Sequence, residues 1–181
     1  MNIKGFFTIV LVTFVSVVNG EAAVQEVEAV QRDLQAVVNF GTNLANAINM
    51  KRSERGVNKA ICLNAKLMAA AQIQATDMAT NNFVATTGSD GSTPTVRYTR
   101  QGFTATTSTE LVAAGYSSAS AVLAAWIQTG ALPRLLGNYK YMGIGYKYDS
   151  TKAYRHFWVL DLANANGYPY GEVCGYPYGY H

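Results

Sequence analysis

Glu110 and His156 are the residues of this chain best suited to acid–base chemistry or to metal binding. A zinc site needs at least three converging nitrogen, oxygen or sulfur ligands, and these two residues supply at most two. General acid–base catalysis needs an imidazole or a carboxyl group of shifted pKa beside the substrate, and Glu110 could be that carboxyl. A lone buried acid is more often a hydrogen-bonded part of the scaffold. His156 precedes Phe157 in a predicted strand, so only one of the two can face a central cavity.

A second polar segment reads Gly88-Ser89-Asp90-Gly91. We expect the Asp90 side chain to fix this turn, with Gly88 and Gly91 supplying the backbone freedom, because a calcium loop requires more carboxylates. The chain has no Gly-x-Ser-x-Gly nucleophile elbow and no lone-cysteine nucleophile pattern. These observations argue against an enzyme, and no cofactor is expected.

The two cysteines, Cys62 and Cys174, lie far apart and lack zinc-ligand spacing. In an oxidising compartment two such thiols more often pair than stay free. A disulfide between them would contribute about 2–5 kcal/mol by restricting the unfolded chain.

The first 20 residues predict a secretory signal peptide. Lys4 provides a positive start, and an apolar run that is too short to span a bilayer comfortably extends over residues 6–18. The whole chain has a formal net charge of +3. Because Lys4 is the only charge in the leader, the mature chain carries 3 − 1 = +2. With 14% charged residues and no basic cluster, binding to nucleic acid is not expected. We expect a secreted, extracellular protein without a transmembrane segment.

The hydrophobic period predicts several helices and strands. An amphipathic helix is expected over residues 23–38, docked on the domain, with a pro-segment or a partner-binding helix as the alternatives. A second helix is expected from a Thr42 cap to about Gly56. Further helices are predicted over 63–78, from the Thr93-Pro94 start to Gly102, and from Ser118 or Ser120 to before Gly130. Strands are predicted over 104–112, 141–148 and 153–162, the last two as a hairpin.

These elements predict an α+β fold in which helices cover both faces of an antiparallel sheet, an α-β-α sandwich. The predicted organisation is a signal peptide over 1–20, a helical extension over 21–40, a domain over 41–163 and a tail over 164–181. The tail repeats Gly-Tyr-Pro-Tyr-Gly, and we interpret it as an extended strap pinned by Cys174, with an adhesive or carbohydrate-contacting tail as the alternative.

In this order and spacing, the elements resemble the superfamily of cysteine-rich secretory proteins, antigen 5 and pathogenesis-related group one proteins, the CAP or SCP-like domain, in its microbial, fungal or oomycete type. The resemblance covers about residues 41–163. Its frame consists of Ile48-Asn49, Arg52, Gly56, Cys62-Leu63, Leu67, Ala71-Gln72, Asp77-Met78, Gly88 to Pro94, Arg97, Gly102, Glu110, Ala113, Gly115, Trp126, Gly143, Gly145-Tyr146, His156-Phe157-Trp158 and Asp161.

The resemblance implies an α-β-α sandwich whose cavity often carries two histidines and two acidic residues, and in some members Zn²⁺. The matching positions in this chain are Thr86, Glu110, Thr129, Leu132 and, for the last histidine, Phe157 or its neighbour His156. Glu110 matches the glutamate of the family's Glu-Asn-Ile-Ala motif, although Leu111 stands in place of its asparagine. Thr86 and Leu132 are poor zinc ligands, so we expect no tight Zn²⁺ site.

The function implied is therefore that of a secreted, non-catalytic CAP-domain protein. The resemblance allows an apolar ligand, a sterol or a fatty acid, because threonine, leucine and phenylalanine make the cavity less polar. It equally allows an extracellular protein or a cell-wall surface as partner, in the manner of pathogenesis-related proteins. The alternative is a residual hydrolase that relies on Glu110.

Overall fold

The computed structural model describes residues 20–167 and 172–173. The chain divides into two compact units, Met1–Leu34 and Gln35–His181. Within the described residues no helix is both long enough and apolar enough to cross a membrane. The predicted signal peptide and most of the predicted tail lie outside the described residues, so both stay predictions.

The first helix, α1, extends without a break over Gly20–Glu54. The prediction of two helices with a cap at Thr42 is wrong, because Gly41, Leu44 and Ile48 recur at helical spacing and are all buried. Their burial outweighs the roughly 1 kcal/mol that a glycine costs inside a helix. In the preceding unit, the side chains of Val24, Val27 and Val30 are each more than half exposed. The apolar side of the predicted amphipathic helix is therefore not buried at these three positions.

A short strand, β1 (Cys62–Asn64), precedes the helix α2 (Ala65–Asn81), whereas the sequence predicted a helix from Leu63. The Asn64 side chain caps α2 by accepting hydrogen bonds from the N–H groups of Lys66 at 3.0 Å and Leu67 at 3.3 Å. This cap ends the strand and starts the helix within one residue. The helix ends at Asn82, which adopts the left-handed conformation with φ of 55°.

The middle of the chain follows its local sequence signals closely. Thr93 caps α3 (Pro94–Arg100), and Ser118 caps α4 (Ala119–Gln128). The strand β2 occupies Ala105–Ala114, two residues longer at its end than predicted. A further short helix, α5 (Leu132–Leu135), was not anticipated; Pro133 lies in its first turn.

The predicted hairpin forms β3 (Tyr141–Tyr148) and β4 (His156–Ala165), and β5 (Glu172–Val173) completes a sheet ordered β2-β4-β3-β1-β5 in the described residues. The expectation of a purely antiparallel sheet is wrong in one pairing, because β1 runs parallel to β3. A parallel neighbour needs a crossover, and the chain supplies one between Asn64 and Tyr141 through the intervening helices.

Helices cover both faces of the sheet, which confirms the predicted α+β sandwich. One face packs against α1, α4 and α5 through a large apolar core that includes Leu44, Trp126 and Trp158. The other face packs against α2 and α3. There α2 lies directly on the sheet, because a Cβ on Gly143 would come within 2.2 Å of the Leu67 carbonyl carbon. The glycines therefore set the distance between helix and sheet.

Candidate functional site

The chemically distinctive part of the described structure is a buried cluster between the sheet and the α2–α3 layer. Glu110 and Asp161 are directly opposed cross-strand partners on β2 and β4. Arg97 and Tyr98 reach the two carboxyl groups from α3, whose start is fixed by the Thr93 cap and Pro94. All four side chains are buried. We call these four residues the buried polar cluster.

Arg97 neutralises Glu110 and ties the preceding loop to the sheet. Its Nη2 atom donates to Glu110 Oε1 at 2.9 Å and to Oε2 at 2.7 Å, and both side chains are 1% exposed. Its Nη1 atom donates to the carbonyl of Ser92 at 2.9 Å, and Nη2 also donates to the carbonyl of Thr86 at 2.9 Å. The guanidinium thus holds both ends of the loop over 86–92 against the acid.

Asp161 occupies the deepest position of the cluster. Tyr98 donates its hydroxyl proton to Asp161 Oδ1 at 2.9 Å. Burial, and then the neighbouring Glu110, raises the pKa of Asp161 well above its usual range, which favours the protonated carboxyl. Its Oδ2 atom receives no hydrogen bond from the described residues, which suits a protonated carboxyl that donates toward Glu110.

Burial raises the pKa of Glu110, while the hydrogen bonds from Asp161 and Arg97 oppose that shift. The Arg97 guanidinium balances the charge of one carboxylate, and the raised pKa of Asp161 favours its neutral form. The same burial, with the nearby acidic groups, raises the pKa of Tyr98, which therefore stays a neutral donor. Chemically the arrangement is a buried ion pair, in which the Arg97 Nε atom has no hydrogen-bond partner among the described residues.

The resemblance to the CAP domain raises the question of Zn²⁺, and the donor set here does not fit that ion. Both oxygens of Glu110 face the Arg97 guanidinium, which already supplies the positive charge. Thr86 contributes its carbonyl to the same guanidinium, and its side chain is exposed. In the described part of the chain, no three His, Cys, Asp or Glu side chains come close enough together to hold a metal.

The other sequence-predicted positions are dispersed. Thr129 ends α4, where its hydroxyl donates to the Ala125 carbonyl at 3.0 Å, and it is exposed. Leu132 begins α5 and is half-buried. Neither side chain has a polar contact with Glu110, and α4 and α5 pack on the opposite face of the sheet.

Phe157 and His156 point to opposite faces of β4, as the strand alternation predicts. Phe157 is fully buried against α2, next to Met78. His156 is half-buried on the other face, where its Nδ1 atom lies 2.7 Å from the Tyr146 hydroxyl. Burial, and then the charge of Arg155, lowers the pKa of His156, so it is neutral at pH 7. Glu110 and His156 therefore do not share a site.

The turn at residues 88–91 is held by its own backbone and by side chains of the turn, of α2 and of α3; Asp77 on α2 accepts a hydrogen bond from the Ser89 N–H at 2.7 Å. Asp90 Oδ1 accepts a hydrogen bond from the Ser92 N–H at 2.8 Å, and Gly91 adopts a φ of 77°. The Gly88 N–H donates to the Ser92 carbonyl at 2.9 Å. Arg100 pairs with the second oxygen of Asp90. This geometry gives Asp90 a role in shaping the loop that Arg97 clamps.

Of the two cysteines, the structure describes Cys62, which begins β1. The strands β1 and β5 pair Leu63 with Val173 and Asn64 with Glu172. Cys174 lies outside the described residues, so the disulfide stays a prediction.

The sequence did not indicate that Arg97 pairs with Glu110 or that Tyr98 and Asp161 lie beside this pair. Arg97 and Asp161 belong to the frame that carries the family resemblance, yet nothing in their spacing shows that they meet. The signal that could have found the cluster is Asp161, an acid between Leu160 and Leu162 in an otherwise apolar strand segment, since a buried charge requires a partner.

A separate groove of about 610 Å³ lies along the outer face of α2. It is on the side of the helix away from the buried polar cluster, because α2 turns Ala71, Gln74 and Met78 inward. The groove is lined by Ala69, Gln72, Ile73, Thr76, Asp77, Thr80, Asn81 and Gln101. Ile73 is nearly half exposed there.

Comparison with known proteins agrees with this architecture. The sequence pattern of the Cysteine-rich secretory protein family, CAP, matches residues 45–162. The fold is that of an SCP-like domain, and the chain belongs to the CAP family. No curated protein matches it.

Three solved structures share the fold at low identity. An extracellular SCP-domain protein of Bacillus anthracis has a TM-score of 0.66 and 19% identity, over 75% of this chain and 43% of that one. An outer surface protein of Borrelia burgdorferi has a TM-score of 0.59 and 18% identity, over 66% and 88% of the two chains. A cysteine-rich secretory protein of Staphylococcus aureus has a TM-score of 0.54 and 20% identity, over 70% and 39%. The chain thus spans less than half the length of the first and third.

Proposed function

We propose that this chain is an exported CAP-domain protein that acts by binding and not by catalysis. The observation that carries the proposal is the pairing of Glu110 with Arg97 inside the protein, at 2.7 and 2.9 Å. The predicted leader and the extracellular or surface character of the similar structures support export.

Glu110 is poorly placed for a residual hydrolase. A general base must come within hydrogen-bond reach of the proton that it abstracts. Glu110 is buried, both of its oxygens accept from Arg97, and the pKa of the adjacent Asp161 is raised well above its usual range. The only described histidine, His156, lies on the other face of the sheet.

The ligand that we propose is apolar, a sterol or a fatty acid, and the groove on α2 is its site. The groove volume of about 610 Å³ falls within the roughly 300–1,000 Å³ of small-molecule sites. Ala69 and Ile73 provide aliphatic surface, and the Thr76 and Thr80 side chains add methyl groups. The second part of the proposal is an extracellular protein or a cell-wall partner. Such a partner would bind the protein surface and would not need the groove.

Binding of labelled cholesterol and of labelled oleate to the chain from Glu21 onward tests the apolar ligand. Ile73→Glu places a charge in the groove and should abolish specific binding, whereas Val96→Glu, at a similarly exposed position on α3, should leave it unchanged. Equal binding by both variants, or no competition by unlabelled ligand, would exclude the groove as the site.

We also propose the Cys62–Cys174 disulfide, which the pairing of Leu63 with Val173 supports. The intact mass of the native protein should rise by about 2 Da on reduction, the mass of the two hydrogens that complete the thiols. Two alkylatable thiols in the unreduced, unfolded protein would contradict this pairing.

A further inference from the structure

The last long strand of the sheet is followed directly by an Asn-Gly pair. Strand β4 ends at Ala165, and Asn166 and Gly167 form an exposed bend after it. After the predicted leader, this is the only Asn-Gly pair in the chain. The pair therefore lies where the chain leaves the folded domain and enters the predicted tail.

Neither residue of the pair is restrained by the described part of the structure. No hydrogen bond joins the Asn166 side chain or the Gly167 N–H to any described residue. Gly167 adopts a φ of 73°, and no atom lies within 4 Å of the position that a Cβ would occupy there. The Gly167 nitrogen is therefore unhindered, and a bond from it to the Asn166 side-chain carbonyl carbon would close a five-membered ring.

Asn164, two residues earlier, has the opposite environment. It lies within β4 and is half-buried. Its Nδ2 atom donates to the Asn138 carbonyl at 2.8 Å and to the Thr107 hydroxyl at 3.0 Å, and its Oδ1 atom accepts from the Lys140 N–H at 2.9 Å. These three hydrogen bonds hold the amide group in place, so it cannot turn toward the backbone nitrogen that follows it.

We propose that Asn166 and Gly167 form a modification site at which the asparagine converts to aspartate and isoaspartate. The Gly167 nitrogen gives up its proton and bonds to the Asn166 side-chain carbon. The bond from that carbon to its amide nitrogen breaks, and ammonia leaves with the proton. Water then opens the cyclic imide. Opening at the side-chain carbon gives aspartate, and opening at the main-chain carbon gives isoaspartate, so water is the only co-reactant.

The conversion changes both the charge and the path of the chain at this junction. Glu172 is the only charged side chain over residues 164–181, so one added carboxylate changes the side-chain charge of that segment from −1 to −1 − 1 = −2. Isoaspartate also adds a methylene group to the main chain between β4 and β5, and β5 is paired with β1. The modification therefore alters how the tail leaves the sheet. This inference does not depend on the groove, its apolar ligand or the export proposed above.

Peptide mapping of the folded chain from Glu21 onward, incubated in neutral buffer, tests the site. Trypsin releases residues 156–181 as one peptide, because Arg155 is the last basic residue, so Asn164 and Asn166 are compared in the same spectrum. Asn166 should gain about 1 Da with time, and protein isoaspartyl methyltransferase should label the product. Asn164 should stay unchanged. The rate at Asn166 should rise with pH, because the attacking nitrogen must lose its proton.

Unfolding in urea separates the role of the structure from that of the sequence. It should change the rate at Asn166 less than about threefold, whereas Asn164 should react at least about tenfold faster once its hydrogen bonds are lost. Asn166→Gln should abolish the labelling, because glutamine cannot close the five-membered ring. Gly167→Ala should slow the reaction about tenfold, because its Cβ hinders the attacking nitrogen.

Three results would each overturn the inference. The first is reaction of Asn166 only in the unfolded chain, which would mean that the fold protects it. The second is an equal rate at Asn164 and Asn166 in the folded protein. The third is an unchanged rate in a Gly167→Ala protein whose melting temperature matches that of the parent.

Discussion

The Glu110→Gln substitution tests whether the role of Glu110 is structural or catalytic. The structure places both Glu110 oxygens on the Arg97 guanidinium, with both side chains 1% exposed. Removing one member of such a buried pair leaves the other charge uncompensated and costs about 3–5 kcal/mol. Glutamine keeps one acceptor oxygen, so we expect the unfolding free energy to fall by an amount near the lower limit of this range, about 3 kcal/mol.

That loss is large enough to measure directly. A domain of this size loses roughly 2–4 °C of melting temperature for each kcal/mol, so the melting temperature should fall by about 6–12 °C. Trp126 and Trp158 are both buried, and their fluorescence reports unfolding in denaturant or on heating. The measurement should be made without reductant, so that the predicted disulfide does not contribute to the difference.

Glu54→Gln is the control for the loss of a carboxylate. Glu54 pairs with Lys51 on the surface of α1 and is 54% exposed, so its removal should cost less than about 1 kcal/mol. A double-mutant cycle with Arg97→Met and Glu110→Met should also show coupling of about 2 kcal/mol, since the double variant buries no charge.

The refuting result is a stable Glu110→Gln protein. If this variant unfolds like the parent and at the same time loses an enzymatic or binding activity, the acid is accessible to a ligand and the buried ion pair is not its role. A stability loss without any specific change in ligand binding by the folded fraction supports the structural assignment.

Three further outcomes are expected. The raised pKa of Asp161 means that the fold holds a proton which the unfolded chain releases above about pH 4, so its stabilising contribution is lost as the pH rises through the folded-state pKa. Asp161→Asn should therefore flatten the decline in unfolding free energy as the pH rises above about 4, and an unchanged slope would contradict a raised pKa of Asp161. Gly145→Ala should lower the unfolding free energy by at least about 3 kcal/mol, because the new Cβ would lie 2.2 Å from the Ala71 carbonyl oxygen. Gly41→Ala, whose Cβ would have its nearest atom at 3.9 Å, should instead raise the unfolding free energy by about 0.5–1 kcal/mol, measured by chemical denaturation. Added Zn²⁺ should leave the melting temperature unchanged, and a saturable rise would show a metal site that the described residues do not form.

The local signals in the sequence were sufficient for much of the fold. Thr93-Pro94 and Ser118 start the helices that they were expected to start, because a capping side chain satisfies backbone N–H groups within its own turn. Alternation also placed His156 and Phe157 on opposite faces of one strand. Such features depend on residues a few positions apart, and they can be predicted without knowledge of the fold.

Other features depended on partners far along the chain. Helix α1 continues through Gly41 because Leu44 and Ile48 are buried in the core, and β1 is a strand because β3 lies beside it. The sequence by itself predicted too few ligands around Glu110 for zinc, because Thr86 and Leu132 stand where the resemblance places histidines. Only the tertiary structure decided that Arg97 would pair with Glu110 and that Asp161 would lie beside it, because the sheet brings β2 and β4 together while α3 packs across both.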